Sequence, residues 1–97
     1  MRLKQKEIDY IKTTAKECFG ANVKVYLFGS RVDDSKRGGD IDLYIETDCR
    51  NNILKRKFKM LALLEKALGE QKIDIVVNNF DTKKFIYQVA KNEGIVL

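Results

Sequence analysis

The sequence predicts an α+β fold, in which a small mixed β-sheet of three strands or slightly more carries helices on one face. Three observations predict this class. Apolar residues recur at three-and-four spacing in three segments. In three other segments they alternate with polar residues at period two. The segments follow one another in the order α-β-β-α-β-α, and we expect residues 1–97 to form a single domain.

The predicted helices cover residues 3–19, residues 52–68 and a last segment that Asp81 caps. Each is followed by a glycine, which suits the end of a helix. Asp48 or Asn51-Asn52 supplies the cap of the second helix. The residues expected to face inward on the second and third helices are Leu54, Phe58, Leu61, Leu64, Leu68, Phe85, Ile86, Val89 and Ala90.

The predicted strands cover residues 23–28, 40–46 and 72–77. In the second strand the apolar residues Ile41, Leu43 and Ile45 point one way, and acidic residues alternate with them. If the apolar set of each strand meets the helices, the acidic set lies on the open face of the sheet. We therefore expect this face to carry three carboxylates, which are Asp40, Asp42 and Asp74.

Composition and charge exclude several classes of protein. The formal charge is +5 and the pI is about 9.2, which favours an acidic partner such as a phosphate, a nucleotide or a nucleic acid. No apolar run can span a membrane and no signal peptide follows the basic N-terminus, so we expect a cytoplasmic protein with reduced cysteines. The chain has no histidine, and its cysteines are Cys18, expected in the core, and Cys49. The usual zinc sites and Ser-His or Cys-His catalysis are therefore excluded.

A candidate phosphate and metal site lies in residues 29–43. Gly29 and Ser30 end a strand and open a turn whose backbone amides and hydroxyl can hold a phosphate. Asp40 and Asp42 project on one face of the next strand, close enough to bind Mg²⁺ between them. The cations of the same loop are Arg31, Lys36 and Arg37.

A third carboxylate, Asp74, comes from the next strand, where the alternation places it on the same face as Asp40 and Asp42. Three carboxylates are what two-metal phosphoryl and nucleotidyl transfer requires. Asp74 is placed to take the proton of an attacking hydroxyl or to ligate the second metal. Taken alone, an Asp-x-Asp pair on a strand is usually a solvated edge, but the order and spacing of the whole set favour a site.

These residues resemble the signature of a known family. The signature of the minimal nucleotidyltransferase (MNT) proteins resembles two segments of this chain, Gly29-Ser30-Arg31 and, after residue 39, Asp40-Ile41-Asp42-Leu43. These proteins belong to the DNA polymerase β-like nucleotidyltransferase superfamily. Lys72-Ile73-Asp74-Ile75-Val76 is similar to the family's third-aspartate strand, and Asn92-Glu93-Gly94-Ile95 to its C-terminal ending. The resemblance covers nearly the whole chain and implies a stand-alone minimal catalytic domain with the nucleotidyltransferase fold.

The resemblance also implies roles for the site residues. Gly29 and Ser30 would hold the triphosphate of ATP, with Arg31 as a further phosphate contact. The metal-binding acids of a two-metal Mg²⁺ site would be Asp40, Asp42 and Asp74. The chain departs from the family pattern in two places, which bear on nucleotide affinity. Gly38-Gly39 replaces a common Ser or Thr before the first metal aspartate, and Val32-Asp33-Asp34 adds acids near the phosphate loop.

The partner implied by the resemblance is a small helical HEPN protein, for which such a domain acts as the antitoxin. Some members that resemble this chain transfer AMP from ATP onto a tyrosine of that partner. The attack would be in line on the α-phosphate, with pyrophosphate as the leaving group. Tyr44 shares a strand face with the aspartates and is a candidate for bordering the nucleotide.

Two other functions stay open. One is a catalytically weak or inactive antitoxin, which neutralises its helical partner by forming a complex. The other, ranked lowest, is a basic RNA-binding domain, although no aromatic stacking platform is interleaved with the cations. A sheet with an exposed edge also favours homo- or hetero-association. The densest basic cluster, which more often is a solvated helix face, consists of Arg50, Lys55, Arg56, Lys57 and Lys59.

Overall fold

The computed structural model describes residues 3–29, 41–69, 72–80 and 84–97, which form three helices and four strands. In chain order these are α1 (Gln5–Phe19), β1 (Lys24–Phe28), β2 (Ile41–Glu46), α2 (Ile53–Leu68), β3 (Ile73–Asn78), α3 (Phe85–Glu93) and β4 (Ile95–Val96). The predicted order of helices and strands is confirmed, with one short strand added at the end.

The four strands form one mixed sheet in the order β3-β2-β1-β4. β1 pairs antiparallel with β2 and with β4, whereas β2 and β3 are parallel. Parallel neighbours need a crossover connection, and α2 supplies it between β2 and β3. The α+β class with a small mixed sheet is confirmed.

The main core lies between one face of this sheet and the helices α1 and α2. Ile41, Leu43 and Ile45 are fully buried there, as their alternation in the sequence predicts. Cys18 belongs to the same cluster, which confirms its predicted place on the inner face of α1. Burying this apolar surface is the largest favourable contribution to folding.

The third helix corrects the prediction that the helices pack on one face. α3 lies on the opposite face of the sheet from α1 and α2, where Ala90 packs with Tyr26 and Tyr44 in a second cluster. The physical reason lies in the strands themselves. Both tyrosines occupy outward positions of the period-two alternation, so this face also carries apolar surface that a helix must cover.

The second helix is rotated relative to its predicted apolar stripe. Leu54 and Phe58 are 63% and 56% exposed, while Met60 and Leu64 are fully buried. In an ideal helix Leu54 and Phe58 lie roughly 100° and 140° from the direction that Met60 and Leu64 share. The spacing rule groups these residues, but the contacts of α2 with α1 and β3 select a narrower stripe. The other two residues of the predicted stripe, Leu61 and Leu68, are partly buried.

The ends of the last two helices differ in how far they match the prediction. Asn52 occupies the N-cap position of α2, in the left-handed conformation with φ 56°, but its side chain makes no capping hydrogen bond. Lys84 occupies the N-cap position of α3, and the predicted cap Asp81 lies outside the described residues. Within α3, Ala90 is buried and Val89 half-buried, but Ile86 is 39% exposed, contrary to prediction. The side chain of Phe85 is not among the described ones.

Candidate active site

Two of the predicted carboxylates lie side by side at one end of the sheet. In the parallel pairing of β2 with β3, Asp42 and Asp74 are direct register partners, so their side chains share a face. Asp42 is also opposite Phe28, the last residue of β1. Gly29 follows directly, so three neighbouring strands bring Gly29, Asp42 and Asp74 to the same end of the sheet. The prediction that Asp42 and Asp74 share one face of the sheet is confirmed, but α3 covers part of that face, which was predicted to be open.

Gly29 contacts the Asp42 carboxylate so closely that no side chain fits between them. Its φ of 80° lies in the left-handed region that glycine tolerates. A Cβ placed there would collide with Oδ2 of Asp42 and would also lie 3.1 Å from its Cγ. The turn after β1 therefore requires glycine both for its backbone conformation and for the space that Asp42 occupies.

The chemistry of these side chains suits Mg²⁺, a hard cation that takes carboxylate oxygens. Asp42 is half-buried and Asp74 is exposed at the edge strand β3, so the site is open to solvent. Within residues 3–29, 41–69, 72–80 and 84–97, no group of three His, Cys, Asp or Glu side chains is placed to hold a metal ion. The described part of the site therefore offers two carboxylates, Asp42 and Asp74, as metal ligands.

The rest of the predicted site falls on residues that the structure does not describe. The predicted residues in this position are Ser30, Arg31, Lys36, Arg37 and Asp40. Their roles in phosphate contact and metal binding stay predictions.

A family model described as polymerase β nucleotidyltransferase matches residues 9–97 of the chain. The chain belongs to this family. No curated protein matches the sequence. Membership makes this protein a nucleotidyltransferase-type domain, a class that generally uses Mg²⁺ and a nucleoside triphosphate. The match also supports the predicted membership of the polymerase β-like superfamily, whereas the MNT subfamily stays a prediction.

A buried polar network lies on the same face of the sheet as Asp42 and Asp74, toward the opposite end of β2 and β3. The Tyr44 hydroxyl donates to Oε2 of Glu46 and accepts from Nδ2 of Asn78, both at 2.9 Å. Nζ of Lys91, on α3, lies 3.3 Å from the same Glu46 oxygen. Burial raises the pKa of Tyr44 to about 12; the hydrogen bond from Asn78 lowers it and the hydrogen bond to Glu46 raises it. The phenol therefore stays protonated at neutral pH.

Tyr44 is buried inside the protein, which disagrees with its predicted place at the border of the nucleotide. It is 1% exposed, because α3 covers it, and its ring lies between those of Tyr26 and Tyr87 at centroid distances of 5.4 and 5.9 Å. Tyr87 in turn donates its hydroxyl to the backbone oxygen of Val77 at 3.0 Å.

The network joins α3 to both strands that carry the candidate catalytic acids. Glu46 and Tyr44 stand on β2, Asn78 on β3 and Lys91 on α3. It thereby helps to fix the register in which Asp42 stands beside Asp74. Sequence reasoning placed Glu46 on a solvated face and assigned no role to Asn78 or Lys91. A signal was present in Tyr44, because a bulky aromatic among alternating acids indicates that this face is covered.

The predicted basic cluster does not form one uniform surface. Arg56 acts structurally: its Nε donates to the oxygen of Asn51 at 3.0 Å, and its Nη1 donates to the oxygen of Cys18 at 2.8 Å. Lys57 instead lines a groove beside β3.

The described part of the chain contains no helix that is both long and apolar enough to cross a membrane.

Proposed function

We propose that this nucleotidyltransferase moves AMP from ATP to a tyrosine of a small helical HEPN partner and so acts as its antitoxin. The observation that carries the proposal is the alignment of Gly29, Asp42 and Asp74 across β1, β2 and β3. Membership of the polymerase β nucleotidyltransferase family supports the reaction type. The choice of AMP, of a tyrosine acceptor and of the HEPN partner rests on the MNT resemblance of the sequence.

In this proposal each described residue has a separate task. Asp42 supplies carboxylate oxygens for Mg²⁺ together with Asp40, and Asp74 beside Asp42 is the base for the acceptor hydroxyl. Bound Mg²⁺ would neutralise the triphosphate and lower the barrier for attack by the acceptor hydroxyl. Gly29 leaves its backbone exposed beside Asp42, where it can receive phosphate oxygens together with the predicted phosphate contact Ser30. The net charge of +5 favours the approach of a triphosphate.

The transfer step forms one bond and breaks one. The hydroxyl oxygen of the acceptor tyrosine attacks the α-phosphorus, and the bond from that phosphorus to the bridging oxygen of pyrophosphate breaks. Asp74 takes the proton of the tyrosine hydroxyl, since it is exposed at the edge strand where an acceptor can approach. The products are an AMP-tyrosine diester and pyrophosphate.

The decisive experiment uses ATP labelled at its α-phosphate, Mg²⁺ and the purified HEPN partner. We expect label on the partner with the wild-type protein, and a loss of about 100-fold or more for Asp42→Asn and for Asp74→Asn. Asp9→Asn is the matched control, because Asp9 is an exposed aspartate on α1 whose side chain accepts a hydrogen bond from Gln5. Absence of transfer by a folded wild-type protein that binds Mg-ATP would overturn the assignment.

The second candidate is a binding module that silences its partner by complex formation alone. The observation that favours it is the pair of exposed apolar side chains on α2, Leu54 and Phe58, which suit a contact with another protein. This candidate predicts that Asp42→Asn and Asp74→Asn still neutralise the partner fully. The transfer proposal predicts that both variants lose neutralisation together with label transfer.

A further inference from the structure

A groove runs along the outer side of β3, between α2 and α3. We call it the β3 groove; its volume is about 470 Å³. Leu54 of α2 forms one wall, Ile86 and Tyr87 of α3 form the other, and Ile75 belongs to the floor. Leu54 and Ile86 are among the most exposed large apolar side chains of the described residues. The groove thus presents apolar surface from elements that lie on both faces of the sheet.

The floor of the β3 groove is the edge of a sheet. The backbone N–H of Ile41 donates to the backbone oxygen of Lys72, and the N–H of Thr47 donates to that of Asn78. The even-numbered residues of β3 therefore direct their backbone N–H and C=O groups toward β2. The odd-numbered residues consequently turn their backbone groups toward the groove. The oxygen of Val77 accepts from Tyr87, but within the described residues β3 pairs with no strand on this side. Such an edge can pair with an extended segment of another chain.

The charge of the β3 groove is positive. Lys57 stands on its α2 side and Lys84 on its α3 side, where the Lys84 ammonium lies 6.0 Å from the centre of the Tyr87 ring. Among the described residues that line the groove, none is acidic. An apolar occupant with negative charge at its ends therefore complements both the walls and the rim.

We propose that the β3 groove binds an extended apolar segment, flanked by acidic residues, of a partner protein. The partner would be the acceptor of the nucleotidyl group, and this part of the inference rests on the proposed function. The groove includes Val76, and Asp74 precedes it by two residues on the same face of β3. A segment held along β3 thus extends directly to the candidate catalytic carboxylate.

The test measures binding without any nucleotide. The probe is a fluorescein-labelled peptide with a core of valine, isoleucine and tyrosine flanked by glutamates, and its affinity is read by fluorescence anisotropy. We expect Lys57→Glu combined with Lys84→Glu to weaken binding roughly tenfold or more. Lys12→Glu combined with Lys16→Glu is the matched control, because it changes the net charge equally on exposed residues of α1. We expect this control to weaken binding by less than about threefold.

Apolar variants test the walls of the groove in the same way. Leu54→Ser should weaken peptide binding by roughly fivefold or more, whereas Val96→Ser on β4, equally exposed at 63%, should leave it unchanged. A peptide with lysines in place of the glutamates should not bind. Circular dichroism and the midpoint of urea unfolding establish that each variant is folded.

Three outcomes would overturn the inference. The first is an equal loss of peptide affinity in the groove variant, Lys57→Glu with Lys84→Glu, and in its α1 control. The second is equal affinity for the acidic and the basic peptide. The third is an RNA oligonucleotide that binds more tightly than the peptide and displaces it from the groove. Because no ATP or Mg²⁺ is present, failure of peptide binding is distinguishable from failure of nucleotidyl transfer.

Discussion

Replacing Gly29 is expected to affect both the fold and the candidate site. Its φ of 80° disfavours any side chain, and a Cβ there would meet the Asp42 carboxylate. We expect Gly29→Ala to lower the free energy of unfolding by about 1–3 kcal/mol, chiefly from backbone strain, because the Asp42 carboxylate ends a side chain that can shift. Because Asp42 must move, nucleotidyl transfer should fall at least about tenfold. Urea unfolding and the label-transfer assay measure the two effects.

Gly69 provides the control for this prediction. Its φ of 82° matches that of Gly29, but a Cβ there meets nothing within 4 Å. Gly69→Ala should therefore cost only the backbone strain, about 1–2 kcal/mol, and should leave transfer unchanged. An equal loss of activity in the two variants would show that the contact with Asp42 is irrelevant to transfer.

Cys18 predicts a pH dependence of both reactivity and stability. Burial raises the pKa of its thiol above the ordinary value of 9.0, and Lys59 acts in the opposite direction. In the Cys49→Ala variant we expect the remaining thiol to react with a disulfide reagent at least about tenfold more slowly in the folded protein than in urea. Between the unfolded and folded pKa values only the unfolded chain ionises, so the stability from this thiol is complete below pH 9 and declines above it.

Two measurements check the Cys18 prediction. One is the rate of thiol modification in buffer and in urea. The other is the change in unfolding free energy from pH 8 to pH 10, which should be less steep for Cys18→Ala than for the wild type. A folded-state rate equal to that in urea would contradict the burial of this side chain, which is 2% exposed.

The orientation of α2 can be tested with one kind of substitution at two positions. Leu64 is fully buried between the helices and the sheet, and Leu54 is 63% exposed on the same helix. We expect Leu64→Ala to cost about 2–5 kcal/mol and Leu54→Ala less than about 0.5 kcal/mol. Helix propensity changes equally in both variants, so equal costs in urea unfolding would contradict this orientation.

The strands were predictable where one physical rule dominated. Ile41, Leu43 and Ile45 are buried as a set because period-two alternation fixes which face of a strand meets the core. The same rule placed Asp42 and Asp74 on one face, and the parallel register of β2 with β3 made them neighbours. Helix orientation was less predictable. Leu54 and Phe58 satisfy the spacing rule, yet their side chains are exposed, because they lie outside the face of α2 that contacts α1 and β3.

Long-range packing set the limit of prediction at the candidate site. Tyr44 and Glu46 alternate with apolar residues as a solvated face would, and only the position of α3 makes them buried. Their partners Asn78 and Lys91 lie 34 and 45 residues away from Tyr44 and Glu46, so local periodicity carries no sign of the contacts. The phosphate-loop predictions for Ser30 and Arg31, and the metal role of Asp40, await a test.

The molecule as a whole is a sheet covered on both faces, with α1 and α2 on one side and α3 on the other. The α3 layer is thin: in the described residues its apolar contact comes from the buried Ala90 and the partly buried Tyr87, and polar contacts supplement it. Tyr87 bonds to the backbone of β3 and Lys91 pairs with Glu46 of β2. In a chain of 97 residues, where apolar burial is limited, such polar contacts weigh more in the total stability.

The attachment of α3 leads to a prediction for Lys91. Its side chain is 55% exposed while that of Glu46 is 7% exposed, so Lys91→Met leaves a buried carboxylate without its cation. Screening by solvent at Lys91 limits the expected cost to about 1–2 kcal/mol in urea unfolding at low salt. Lys66→Met is the matched control, because both lysines stand in the last turn of a helix and both variants lose the same interaction with the helix dipole. The control should cost less than about 0.5 kcal/mol, and the difference between the variants should shrink in 1 M salt, where the Debye length is about 3 Å. Indistinguishable costs for Lys91→Met and Lys66→Met would show that the ion pair does not hold α3 on the sheet.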